Sequence, residues 1–317
     1  MAIIRPEEMD FSKQTFSAII YGSPGVGKTT LALSAPKPVL IDFDDGVSRV
    51  RASHRVPTIV CNTYEEVLTD IDSPEMKEFD TIIIDTGGSF VTFLKDWAFR
   101  TKTDAKTKAG QFNSLKGFGY VKSEFASFTD KIKTVLKKNV IYVFHSVEQA
   151  DKDGNPIQRL MCEGSCRNTV WNPCDFGGYV QMIGNKRMIC FSPTQEYFAK
   201  GTHGITGEMP IPVLNDSTPN DFMTKLFDKA RQSIIAENEA FAPQKKQYDE
   251  TMEQIRNVVD CIVDADSATE AAKIIPDLPH ALTSKKEASA MLKAKTDALG
   301  LKWSKDAGGY VPKDGGQ

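Results

Sequence analysis

The chain has 317 residues, of which 26% are charged and 40% hydrophobic, with a formal net charge of −3. This is an ordinary globular composition, long enough for one large domain and a small one. The charge balance excludes a globally basic surface, and no apolar run reaches the ~18 residues that cross a bilayer.

The opening MAIIRPEEMDFSK carries acids and no long apolar core, so no signal peptide is expected. Six cysteines in such a chain point to free thiols in a reducing cytoplasm. The apolar run Phe16–Tyr21 reads as a buried strand. It leads into Gly22, Ser23, Pro24, Gly25, Val26, Gly27, Lys28 and Thr29, a complete G-x-x-x-x-G-K-T, and then into helical sequence from Thr30. Strand, glycine loop and helix together define a P-loop. Its backbone N–H groups, the following helix N-terminus and Lys28 are expected to hold the phosphates of ATP. The Thr29 hydroxyl is expected on Mg²⁺.

Strand and helix signals then alternate. Residues 38–43, 58–61, 81–85 and 139–144 read as buried strands, with helices at 64–71, 89–100 and 122–138. Continuous apolar strands between helices predict a parallel sheet covered on both faces. Near residue 175 the pattern changes to a hairpin, 178–182 and 187–191, turning at Ile183–Lys186, with a short strand at 196–199. A helix is expected over 220–236, a linker over 242–246, and two helical stretches near 250–263 and 284–298. The Gly-Gly tail is expected to fray. The expected division is a core over residues 1–240 and a small helical region over 241–317.

Asp85 ends an apolar strand and is the expected Mg²⁺ carboxylate, with Thr86 where many ATPases carry a basic Glu. Asp42, Asp44 and Asp45 gather at the end of the strand after the P-loop helix, the edge where open parallel sheets bind ligands. One of them serves as water-activating base, or caps the turn at Gly46. His145 ends another strand at the same edge, either as a γ-phosphate sensor or as a surface histidine.

Residues 100–140 hold ten Lys or Arg against three Asp or Glu. Lys102, Lys106, Lys108 and Lys116 interleave with Phe112, Phe118 and Tyr120, a pattern suited to phosphates and stacked bases. The competing reading is a solvated face over core aromatics. A second candidate loop, 148–172, carries Arg159 and Arg167. Cys162, Cys166 and Cys174 lie at C-x₃-C-x₇-C without a fourth ligand, which leaves a zinc knuckle against ordinary buried thiols.

Taken together these residues resemble the RecA-core branch of P-loop ATPases. The closest resemblance is to a phage family of AAA-type nucleotide-binding proteins that includes the Sak-class single-strand annealing recombinases. It rests on the P-loop, LIDFDDG, Val143-Phe144-His145, Asp175 and Ala199-Lys200, and covers roughly residues 14–240. The resemblance implies an α/β RecA-like core with a C-terminal hairpin extension. It implies Asp44 as the base, and ATP hydrolysis coupled to single-stranded DNA in annealing or exchange. Expected partners are a homo-oligomer, ring or filament, and a single-strand-binding protein, in the host cytoplasm. AKGTHGITG resembles the end of the DnaB-type helicase core, which implies Lys200 as a finger onto a neighbour's γ-phosphate. Thr202 stands where that pattern has arginine. The alternative function is an ATP-dependent loader or regulator of a replication protein without DNA contact. A nucleotide kinase is disfavoured for want of an arginine-rich lid.

Overall fold

The computed structural model describes residues 9–164, 166–215 and 217–313. They divide into two compact units, Asp10–Ser233 and the chain from Ile234 onward. The Gly-Gly tail and most of the N-terminal segment lie outside the described residues.

In the first unit, β1 (Ser17–Gly22) is buried along its whole length and feeds the P-loop and the short α1 (Lys28–Ala32). Then come β2 (Pro38–Asp42), β3 (Thr58–Ile59), α2 (Tyr64–Ile71), β4 (Thr81–Asp85) and α3 (Gly87–Thr101). They are followed by α4 (Ser114–Asp130), β5 (Asn139–Ala150), β6 (Pro156–Leu160) and α5 (Cys166–Thr169). The unit closes with β7 (Phe176–Ile183), β8 (Lys186–Cys190), β9 (Glu208–Pro210) and the start of α6 (Phe222–Asp260).

Among the described residues the strands run in the order β3-β2-β4-β5-β1-β7-β8-β9, with β6 paired to β5 outside that path. From β3 to β7 every pairing is parallel, and the hairpin strands β8 and β9 are antiparallel. A mostly parallel, doubly covered α/β sheet is what the unbroken apolar strands predict. The register sets the site. Gly22 lies beside His145, and Asp42 beside Asp85, so the P-loop, both acids and the histidine share one sheet edge. The core below is aromatic. Phe90 meets Tyr64, Phe125, Phe128 and Tyr142 at centroid distances of 4.8–6.2 Å.

Several expected boundaries move. α4 begins at Ser114, not Lys122: the Asn113 side chain caps it by accepting from the Lys116 N–H. Its glycines weaken the helix signal, yet Gly117 lies under the Phe112 ring, which a Cβ would approach to 2.3 Å. The second candidate loop is a strand and a short helix, because β5 runs six residues past Phe144 to pair antiparallel with β6. The expected strand at 196–199 is reduced to isolated bridges of Tyr197 and Lys200, and β9 takes its place beside β8.

The expected linker at 242–246 lies inside α6. It is solvent-exposed, as a linker would be, but strong helix formers and the pairs Lys245–Asp249 (2.6 Å) and Lys246–Glu250 (3.8 Å) keep it helical through Pro243. The second unit adds α7 (Ala265–Asp277), α8 (Ser284–Ala298) and a hairpin of β10 (Leu301–Ser304) with β11 (Gly309–Pro312). Its core gathers Met252, Ile255, Val259, Ala268, Ile275 and Leu301. α7 and the hairpin are additions to the two expected helical stretches.

Candidate nucleotide site

The P-loop turns through two glycines with positive φ, Gly25 at 80° and Gly27 at 82°, a conformation that costs other residues strain. Gly22 is required for another reason: a Cβ there would lie 2.4 Å from the Val180 carbonyl oxygen of β7. α1 has only five residues, so the convergent loop N–H groups, more than a helix dipole, carry the anion affinity.

Lys28 is buried, and its ammonium donates to the Ser23 carbonyl (2.9 Å) and to His145 Nδ1 (3.4 Å). A charged Lys28 leaves Nδ1 as acceptor, so the histidine proton sits on Nε2. Burial pulls the Lys28 ammonium down to about 8, against the attraction of Asp85. Burial, and then the Lys28 charge, also lower the His145 imidazole, so it is neutral at pH 7. Asp85 accepts a 2.5 Å hydrogen bond from Thr29 Oγ1, and burial raises its carboxyl to about 6.

The three acids after β2 separate into distinct roles. Asp42 is buried and accepts from the backbone N–H groups of Asp44 (3.1 Å), Gly46 (3.0 Å) and Val47 (2.8 Å), so it shapes the turn. Asp45 is exposed. Asp44 faces the cleft, where its Oδ1 accepts from Ser89 Oγ at 2.5 Å, and Ser89 Oγ in turn accepts from Thr86 Oγ1 at 3.1 Å. The P-loop, Asp44, Asp85, Thr86 and His145 thus line one cleft of about 190 Å³, with Arg49 at its rim. Ser89 has a weak sequence signal, as the residue whose N–H is capped by Thr86. Arg187 of β8, whose guanidinium would meet a Cβ on Gly27 at 2.8 Å, has none.

The remaining expected residues lie elsewhere. Phe112, Phe118 and Tyr120 pack on the core, Phe112 and Phe118 edge to face at 5.3 Å, so these rings are not a free stacking surface. Lys116 pairs with Asp104 (2.9 Å), Lys102 lies over Trp97 (4.8 Å), and Lys106 over Phe99 (5.1 Å), while Lys108 is exposed. Lys200 donates to the Cys174 carbonyl and bridges Gly177, which pairs with Ile19, away from the P-loop end of β1. A γ-phosphate contact by Lys200 therefore requires a second copy of the chain. Cys162, Cys166 and Cys174 are buried free thiols, and burial pushes all three up, to about 12, 11 and 12. No cluster of three His, Cys, Asp or Glu suited to a metal occurs among the described residues.

A phosphate loop on a strand separated from the acid-bearing strand by one further parallel strand, here β5, defines a P-loop NTPase of RecA-like fold. Residues 15–203 match the model of the AAA domain family, and the chain belongs to that family of P-loop ATPases. No curated protein matches it. Among solved structures it is similar to the KaiC-like protein PH0186 of the hyperthermophilic archaeon Pyrococcus horikoshii OT3. That likeness has 12% identity and a TM-score of 0.35, covering 62% of this chain and 89% of the other. It is also similar to the flagellar accessory protein FlaH of Methanocaldococcus jannaschii, with 11% identity and a TM-score of 0.30, covering 55% and 75% respectively. Among the described residues no helix is long and apolar enough to cross a membrane.

Proposed function

We propose that this ATPase is of the phage recombination type and couples ATP hydrolysis to single-stranded DNA, in the service of strand annealing or exchange. The observation that carries the coupling is β5. It runs unbroken from Gly22's neighbour His145, in the nucleotide cleft, to Val147, which pairs with Arg159 in the β5–β6 hairpin.

In the cleft, the loop N–H groups and Lys28 hold the β- and γ-phosphates. Thr29 Oγ1 and Asp85 Oδ2 are adjacent hard oxygen donors, 2.5 Å apart, which fit Mg²⁺. The ion neutralises charge on the phosphate oxygens when bound. Asp44 orients the attacking water and takes its proton, while Ser89 fixes the carboxylate. Neutral His145, already touching Lys28, registers the γ-phosphate and passes its presence along β5.

The test is ATP turnover with and without single- and double-stranded DNA, combined with gel shifts across salt. Single strands are expected to bind and to raise turnover, and double strands to do less. Absence of any DNA binding overturns the reading in favour of a loader acting on a replication protein. The packing of Phe112, Phe118 and Tyr120 against the core is the observation on that side.

A further inference from the structure

Behind the β5–β6 hairpin lies a groove of about 360 Å³, separate from the ATP cleft. Arg159, Arg167, Asn168, Trp171, Asn172 and Phe198 line it, and no carboxylate does. Among the described residues the Arg159 guanidinium makes no hydrogen bond or ion pair. Arg167 donates one Nη to Gln149 (2.7 Å) and the other to the Cys162 carbonyl (3.4 Å), yet its Nε is buried without a partner. The unspent Arg159 guanidinium, with the incompletely satisfied Arg167 beside it in an acid-free groove, calls for an anion. The rest of the lining calls for a flat, polar-edged ring. Phe198 is 40% exposed and packs edge to face on Trp171 at 4.7 Å, and Asn168 and Asn172 are exposed amides beside it.

We propose that this groove binds one nucleotide unit, its phosphate on Arg159 and Arg167, its base against Phe198, with the asparagine amides on the base edge. The proposal rests on the single-strand reading above and names where the strand is gripped. It transfers that grip from the lysines of 102–116, whose neighbouring rings pack against the core, to the hairpin joined to His145. The groove's volume accommodates one nucleotide, and every base offers a face to stack, so sequence tolerance is expected.

The assay is anisotropy of fluorescein-labelled oligothymidylate with the full chain, in wild type, Arg159→Ala, Arg159→Lys and Phe198→Ala, each checked for an unchanged thermal midpoint. Arg159→Ala is expected to weaken binding about tenfold and to flatten the log–log salt slope by about 0.7. Arg159→Lys keeps the slope. Phe198→Ala weakens binding about tenfold with the slope unchanged, since it removes stacking and no charge. A parallel titration of dTMP into Lys28→Ala protein, whose phosphate loop is disabled, separates strand from free nucleotide. Binding of dTMP that Arg159→Ala abolishes supports the groove with a mononucleotide as its source. If oligothymidylate binds wild type, Arg159→Ala and Phe198→Ala alike, the groove proposal falls while the single-strand reading stands. If wild type takes up neither probe, both fall.

Discussion

Asp85→Asn is expected to make the nucleotide-free protein more stable while removing the carboxylate proposed to hold Mg²⁺. Burial, reinforced by the charges of Asp42 and Asp44, raises the Asp85 carboxyl from 3.8 to about 6, against the Thr29 hydrogen bond and Lys28. Above pH 6 the folded protein holds a charge that the unfolded chain carries more easily. That rise corresponds to about 3 kcal/mol at pH 7.5. As pH falls through 6 toward 4, wild type takes up the proton when folded and recovers the loss. At pH 4.5 only about 1 kcal/mol should separate the two proteins. Asparagine keeps an oxygen for Thr29, so the hydrogen bond survives. Lys28 loses a favourable charge, which makes 3 kcal/mol an upper bound. The assay is urea unfolding in EDTA, without nucleotide, at both pH values. Equal stabilities at pH 7.5, or a gap that widens on acidification, would refute the account of Asp85 as a destabilised, buried carboxylate held ready for a metal.

Lys28→Ala should abolish measurable ATP binding, since the ammonium facing the phosphates is lost; wild-type retention in a labelled-ATP filter assay contradicts the site. Asp44→Asn should still bind ATP but turn over ~10²-fold more slowly, whereas Asp45→Asn should be near normal; the reverse outcome in steady-state kinetics would reassign the base. Ser89→Ala should lower kcat more than it changes KM, because the Asp44 carboxylate loses the hydrogen bond that holds it in place; Ser89→Thr should restore part of it. Gly22→Ala should cost about 1–3 kcal/mol in chemical unfolding, because the new Cβ meets a backbone carbonyl that cannot rotate away.

The nucleotide cleft was readable in sequence because each part announces itself locally. Unbroken apolar runs end at Gly22, Asp42, Asp85 and His145, and parallel pairing brings those ends to one edge. The parts that did not announce themselves depend on distant partners. Ser89 and Asp44 are 45 residues apart and meet only once β2 and β4 are neighbours. β5 past His145 reads as polar because that half leaves the core and pairs only with β6. Glycines hid the start of α4, and Pro243 hid the middle of α6, where neighbours in space and along the helix outweigh local propensity. The basic segment is a different case. Its charges are at the surface, but the pattern of rings between them reports the core they cover.

The continuity of β5 removes any joint between the nucleotide cleft and the β5–β6 hairpin. Ala150 lies five residues beyond His145, roughly 17 Å of extended backbone, with ladder bonds on both halves of the strand. A hinge would let the far end relax while the near end moves; a hydrogen-bonded ribbon tilts as one piece. The hairpin and the nucleotide cleft therefore share a single strand. A substitution at one end of the strand is therefore expected to be felt at the other.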